Sequence, residues 1–194
     1  MEELFEIRWH GRGGQGAKTA ALLFGEAAME TGKYIQAFPE YGPERMGAPV
    51  QAFNRLSDKP IRAHSAVEHP KVVVILDPSL IEISNVTQGL KEDSIVVVNS
   101  PDSPEDIRKR LKLENSKVKV YTVDASKIAL STIGRDVPNT PMLGAMVRVT
   151  NVLKFEPMLH SIEEKLKAKF RGREEMVKGN IESIKLAYKE VKGG

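Results

Sequence analysis

Along this chain, short aliphatic runs alternate with longer segments in which apolar residues return every three or four positions. Leu4 to His10 reads as a first strand, and the glycine-dense GRGGQG of Gly11 to Gly16 must turn the chain directly after it. The run AKTAALLFGEAAMET from Ala17 has helical composition and apolar spacing, with Gly32 where a C-terminal cap belongs. Strand, glycine turn and helix form the opening of a βαβ unit. Tyr34 to Phe38 reads as a second strand, and Val50 to Leu56 alternates like a half-exposed one. Val72 to Leu76 and Ile95 to Val98 are continuous aliphatic runs, the pattern of parallel strands covered on both faces, and Val118, Val120 and Val123 mark one more. Helical patterns occupy Pro104 to Leu111, Ala125 to Ile133, Met142 to Leu153 and Met158 to Phe170. In the last segment, Glu174 to Val191, the spacing of Val177, Ile181, Ile184 and Tyr188 predicts an amphipathic helix. The sum is an α/β fold: three-layer and Rossmann-like, a mostly parallel sheet with helices on both faces.

With 194 residues, no internal repeat and no low-complexity linker, residues 1–194 read as one domain. No stretch approaches the roughly 20 consecutive apolar residues that span a bilayer, and MEELFEIRWH is too acidic and polar for a signal peptide, so the expected location is the cytoplasm, away from membranes. The chain contains no cysteine, which excludes disulfides, thiolate nucleophiles, zinc–thiolate sites and cysteine-ligated iron–sulfur clusters. A net charge of +3, with basic and acidic residues interleaved, does not support nucleic-acid binding.

Gly11, Gly13 and Gly16 satisfy G-x-G-x-x-G at a strand-to-helix junction, where free amides and the helix dipole attract a phosphate. Two readings stand: an anion site spanning Gly11, Arg12, Gly13, Gly14, Gln15, Gly16 and Lys18, or a tight turn that only lets the helix pack on the sheet. A free-standing NAD(P)-dependent dehydrogenase is the alternative function, but it needs an acidic residue at the end of the second strand, and Glu40 behind Pro39 is the only nearby candidate. A P-loop fits less well. Ala17 separates Gly16 from Lys18, turning the lysine about 100° around the helix, so Asp77 before Pro78 reads as a strand-end turn rather than a magnesium ligand. Arg12 can pair with a phosphate or a partner carboxylate, or lie exposed; Gln15 is expected to cap the first helical turn, and Asn139 and Thr140 to cap the helix near Pro141.

PEYGPERMGAP, Pro39 to Pro49, holds three prolines and two glycines and cannot be helix or central strand. Its Glu40, Tyr41, Glu44 and Arg45 put charge and an aromatic ring on a stiffened loop, a composition suited to a partner interface. His10 ends the first strand beside the glycine loop, whereas His64, His69 and His160 are scattered without ligand spacing, so no metal site is expected. No serine–histidine–acid set or paired carboxylates emerge, and the chain alone is expected to have no catalytic residues.

GRGGQG together with PEYGPERMGAPV resembles the gamma subunit, or equivalent fused domain, of 2-oxoacid:ferredoxin oxidoreductases, most closely the pyruvate enzymes. DPSL at Asp77, VVVNS at Val96, DASKIAL at Asp124 and GRDVPNTPMLGA at Gly134 follow in the family's order. Many members carry two consecutive arginines where this chain has Arg45 and Met46. The resemblance implies a complex that oxidatively decarboxylates pyruvate or a related 2-oxoacid with thiamine diphosphate, passes electrons through [4Fe–4S] clusters to ferredoxin, and makes acyl-CoA from coenzyme A. It implies alpha, beta and delta subunits as partners, with thiamine and clusters on those chains. A gamma subunit is then left with assembly and, where the glycine loop serves as an anion site, a coenzyme A phosphate.

Overall fold

A computed structural model describes residues 4–40 and 46–194. Seven strands form one sheet in the order β2-β3-β1-β4-β5-β6-β7. They are β1 (Phe5–Arg12), β2 (Tyr34–Pro39), β3 (Pro49–Ser57), β4 (Val72–Ile75), β5 (Ile95–Asn99), β6 (Lys119–Val123) and β7 (Lys192–Gly193). β1, β4, β5 and β6 pair in parallel, while β3 runs antiparallel to both β1 and β2, and β7 antiparallel to β6. Five of the seven strands therefore point the same way, as the aliphatic runs predict.

Helices α1 (Ala17–Glu30), α4 (Ala125–Ile133), α5 (Asn139–Thr150), α6 (Phe155–Lys169) and α7 (Glu174–Glu190) cover one face. The other face carries α2 (Leu80–Ile83) and α3 (Pro104–Arg110). The alternation of β4 explains the two layers: Val72 and Val74 enter the larger core with Ile7, Trp9 and Phe24, and Val73 and Ile75 enter the smaller one with Leu80 and Ile107. Each such fully buried side chain contributes about 1.5 to 3 kcal/mol. Among the described residues, no helix is long and apolar enough to cross a membrane.

β3 departs from its sequence pattern. Its alternation predicts a half-exposed strand, yet Asn54, Arg55 and Leu56 are all buried because β3 lies inside the sheet, between β1 and β2. Both polar side chains are satisfied. Asn54 accepts from Trp9 Nε1 at 2.8 Å and donates to the Ala21 carbonyl at 2.8 Å, which ties α1 to two strands. Arg55 pairs with Glu6 at 2.7 Å and donates to the Ser65 carbonyl at 2.6 Å. Arg8 donates in the same manner to the carbonyls of Val86 and Gln88. Over this half of the second face, guanidinium groups pin irregular segments where a helix would otherwise lie.

Candidate anion site at the start of two helices

The glycine segment is part strand and part turn, which corrects the expectation of a turn beginning at Gly11. Gly11 and Arg12 pair with Val50 and Pro49 in β3, and Gly13 exchanges hydrogen bonds with Ala48 (2.9 Å) and Gly47 (3.1 Å). Only Gly14 and Gly16 turn the chain, with φ of 98° and 84°. These are left-handed values at which a side chain is strained. The turn lies at the carboxyl ends of the parallel strands, where the connections from β1 and β4 diverge to opposite sides of the sheet. Open α/β sheets bind ligands at such switch points.

Arg12 is tied to its own chain while its side chain stays 29% exposed. Its guanidinium donates to Asp77 Oδ2 at 3.0 Å, to the Gly47 carbonyl at 2.9 Å and to Ser79 Oγ at 2.7 Å. Gln15 does not cap the helix. Its Oε1 accepts from the Arg12 amide at 2.7 Å and its Nε2 donates to Asp77 Oδ2 at 2.9 Å. Asp77 Oδ1 accepts from the Ser79 amide and hydroxyl, so Asp77 forms the expected strand-end turn and both of its oxygens are occupied. Burial alone would raise the Asp77 carboxyl; the Ser79 hydroxyl, the Gln15 amide, the Ser79 backbone N–H and the Arg12 charge together hold it below its usual value. Asp, x, Ser is a readable turn signal, but the partnership of Arg12 with a residue 65 positions away has no local signature.

With Arg12 and Gln15 committed, the open groups are at the helix starts. Gly16 is the N-cap of α1 and gives no side-chain bond, and Lys18 stands exposed in the first turn. Asn139 and Thr140 do not cap α5, contrary to expectation: that helix also has no side-chain cap. Both are buried, at 6% and 3% exposure. Thr140 turns its hydroxyl to Asn180 Oδ1 on α7 at 2.9 Å, and Asn139 presses on the glycine turn, its Nδ2 2.6 Å from where a Cβ on Gly16 would sit.

The dinucleotide geometry is absent. β3 separates β2 from β1, so Glu40, which follows β2, lies two strand spacings, or roughly 10 Å, from the strand that leads into α1. Its N–H pairs with the Gln51 carbonyl, and its charge acts on Arg8, whose pKa burial lowers and Glu40 raises. The other expected interface residues, Tyr41, Glu44 and Arg45, lie outside the described residues. Met46 follows them at 93% exposure. Among the described residues, no cluster of three His, Cys, Asp or Glu side chains could hold a metal ion.

His10 points away from α1, on the Arg8 side of β1, at 3% exposure, with Nε2 unpartnered. Burial, reinforced by the Arg8 charge, pushes its pKa down to about 3 from 6.5. The folded protein thus holds His10 neutral while the unfolded chain takes up a proton below pH 6.5, so stability falls as pH drops through the window from 6.5 toward 3. The expected slope is about 1.4 kcal/mol per pH unit from this residue alone. Denaturant titrations between pH 6.5 and 5.5, where few carboxylates have begun to protonate, should show a steeper fall in the wild type than in His10→Gln, the difference being the contribution of His10. Equal slopes in both proteins would show that His10 is charged in the fold.

The fold and site define a Rossmann-like α/β protein with two open helix starts at its sheet's switch point. The chain belongs to the pyruvate ferredoxin/flavodoxin oxidoreductase family, which it matches over residues 6–190. It is 47% identical over 187 residues to the pyruvate/ketoisovalerate oxidoreductases common subunit gamma of Pyrococcus abyssi, covering 96% of this chain and 97% of that one. The crystal structure of pyruvate oxidoreductase subunit PORC from Thermotoga maritima superposes with a TM-score of 0.85 at 45% identity, over 100% of this chain and 99% of that one. The fold recurs at 20% identity and a TM-score of 0.74 in the 2-oxoglutarate:ferredoxin oxidoreductase of Magnetococcus marinus, solved with 2-oxoglutarate, coenzyme A and succinyl-CoA bound, where it makes up 32% of that chain.

Proposed function

We propose that this chain is the gamma-type subunit of an assembly that oxidatively decarboxylates pyruvate or a related 2-oxoacid, forms the acyl-CoA and passes the electrons to ferredoxin. The observation that carries the reading is the near end-to-end correspondence with PORC at 45% identity, in a chain without the cysteines that iron–sulfur clusters require. In this reading thiamine diphosphate and the [4Fe–4S] clusters belong to alpha, beta and delta partner chains. The gamma chain supplies an interface around Glu40 to Arg45 and a receptor for a phosphate of coenzyme A.

Two features support the coenzyme A part. The start of α1 fits an anion, because it has no side-chain cap and carries Lys18 rather than a carboxylate in its first turn. Coenzyme A is also present in the Magnetococcus marinus enzyme that contains this fold. Arg12 is paired with Asp77, and Lys18 is the exposed cation in the first turn of α1.

Affinity purification of the chain from its source is expected to bring down partner chains, among them a cysteine-rich ferredoxin-like one, with pyruvate-dependent ferredoxin reduction in the eluate. In that complex Lys18→Glu should raise the Michaelis constant for coenzyme A by roughly tenfold, the scale of one charge-assisted contact. Binding of the 2-oxoacid should stay unchanged. Purification of the chain alone, with tight NAD binding, would overturn the assignment in favour of a dehydrogenase. An unchanged coenzyme A dependence would leave the subunit assignment standing and remove the loop from it.

A further inference from the structure

We infer that the outer edge of the sheet is a self-pairing surface: β2 adds antiparallel to β2 of a second copy of this chain, and the two α1 helices pack across the same two-fold axis. β2 is the outermost strand on its side of the sheet, and among the described residues it pairs only with β3. Glu40 continues that ladder, donating its N–H to the Gln51 carbonyl at 2.9 Å. In an antiparallel ladder alternate residues turn both backbone groups the same way, so Tyr34, Gln36 and Phe38 face β3 while Ile35 and Ala37 present theirs outward. Native edges are usually blocked by charged side chains, a bulge or a proline. β2, with the sequence YIQAFP, carries no charged side chain, keeps an unbroken register with β3 and has its proline at the very end.

The helix above this edge is shaped for the same contact. Gly25 lets α1 sit low on the sheet, since a Cβ there would lie 3.1 Å from Ala37 Cβ, 3.4 Å from Ile35 Cγ1 and 3.5 Å from Asn54 Nδ2. α1 therefore straddles β2 and β3. Leu22 and Met29 stand about 60° and 40° round the helix from Gly25, turned away from the buried Ala21, Phe24 and Ala28, and so overhang the edge. They are 43% and 56% exposed, and Tyr34, at the start of β2, is 48% exposed. Three of the six large apolar side chains exposed among the described residues thus line one edge, and such a concentration marks a protein contact.

A second copy is the occupant because the edge is complementary to itself. With Gln36 opposite Gln36 on the axis, Ile35 exchanges both backbone bonds with Ala37 of the second copy, and the Lys33 N–H reaches the Pro39 carbonyl, giving about six bonds in all. Centring the pair on Ala37 instead sets Ile35 against Pro39 and loses a donor on each side. In the favoured register Tyr34 falls opposite Phe38, whose ring already stacks on Phe53 with centroids 5.3 Å apart. Gly25 is level with Gln36, so the same axis sets Leu22 of one α1 against Met29 of the other. α1 lies half a strand spacing inside β2, and the axis half a spacing outside it. The two helix axes are then roughly 10 Å apart, the distance at which packed helices touch. One placement closes both the sheet layer and the helix layer.

Sedimentation velocity on the full chain tests this. A reversible dimer is expected as the concentration rises to roughly 100 μM. A monomer throughout overturns the inference, including the case in which a different chain pairs with β2. Leu22→Lys and Met29→Glu should each raise the dimer dissociation constant roughly tenfold, and both side chains are exposed, so the fold should be kept. Combined in one chain they should bring the constant back to within about threefold of the wild type, because each lysine then faces a glutamate across the axis. A dimer indifferent to the single changes, or a double variant no tighter than they are, overturns the pairing. The chain has no cysteine, so a mixture of Leu22→Cys and Met29→Cys proteins should form a disulfide-linked dimer under mild oxidation, whereas neither protein alone should. A mixture that links no better than its components overturns it as well.

Discussion

Replacing Gly144 with alanine is expected to lower the melting temperature by about 4 to 8 °C, although alanine is the better helix former. An added Cβ would stand 2.1 Å from the Ile184 carbonyl oxygen and 2.9 Å from its carbon. These are backbone atoms of α7, so no rotamer change relieves the contact. α5 and α7 must move apart, opening the buried layer that holds Met142, Met146, Ile181 and Ile184. Overpacking of this kind costs about 3 kcal/mol, against a propensity gain of about 1 kcal/mol at most. The clash wins, and in a chain of this size each lost kcal/mol lowers the melting temperature by roughly 2 to 4 °C. Thermal unfolding followed by circular dichroism decides it; an unchanged or higher midpoint would mean the two helices have room that the geometry denies.

Gly16→Ala should destabilise by about 2 to 3 kcal/mol, and Gly32→Ala by only about 1. The two glycines share a left-handed backbone, φ 84° and 83°, so each substitution carries the same conformational penalty of roughly 1 kcal/mol. They differ in their surroundings. Nothing lies within 4 Å of a Cβ on Gly32, whereas one on Gly16 meets Asn139 Nδ2 at 2.6 Å. The excess measures how firmly Asn139 is held by Thr140 and Asn180. Guanidinium titrations of both variants give the difference directly, and equal losses would show an Asn139 side chain that swings freely.

Local periodicity was enough to locate most elements. Ala125–Ile133 is a helix with the bounds its spacing predicts, and the aliphatic runs at Val72 and Ile95 are parallel strands buried on both faces. The helix after the glycine loop begins at Ala17, where the punctuation of GRGGQG puts it. The four-residue α2 and two-residue β7 are too short for any period to register. At the candidate site, the sequence identified a phosphate-compatible glycine turn and gave Asp77 its turn role, both properties of a few adjacent residues.

What local pattern does not encode is which strands become neighbours. The antiparallel insertion of β3 between β1 and β2 buries Asn54 and Arg55, removes Glu40 from the reach of a ribose, and ends any dinucleotide-binding geometry, yet no residue of β3 announces it. The same holds for side chains whose partners lie far along the chain. Arg12 and Gln15 read as groups free for a ligand or a cap until Asp77 occupies them, and Asn139 reads as a cap until the packing of α5 on α7 brings it against Gly16. Composition and spacing settle which faces are apolar, because burial acts on each segment as it folds. The pairing of polar groups was decided only in the tertiary structure, where packing fixes which donors and acceptors meet and which are left open.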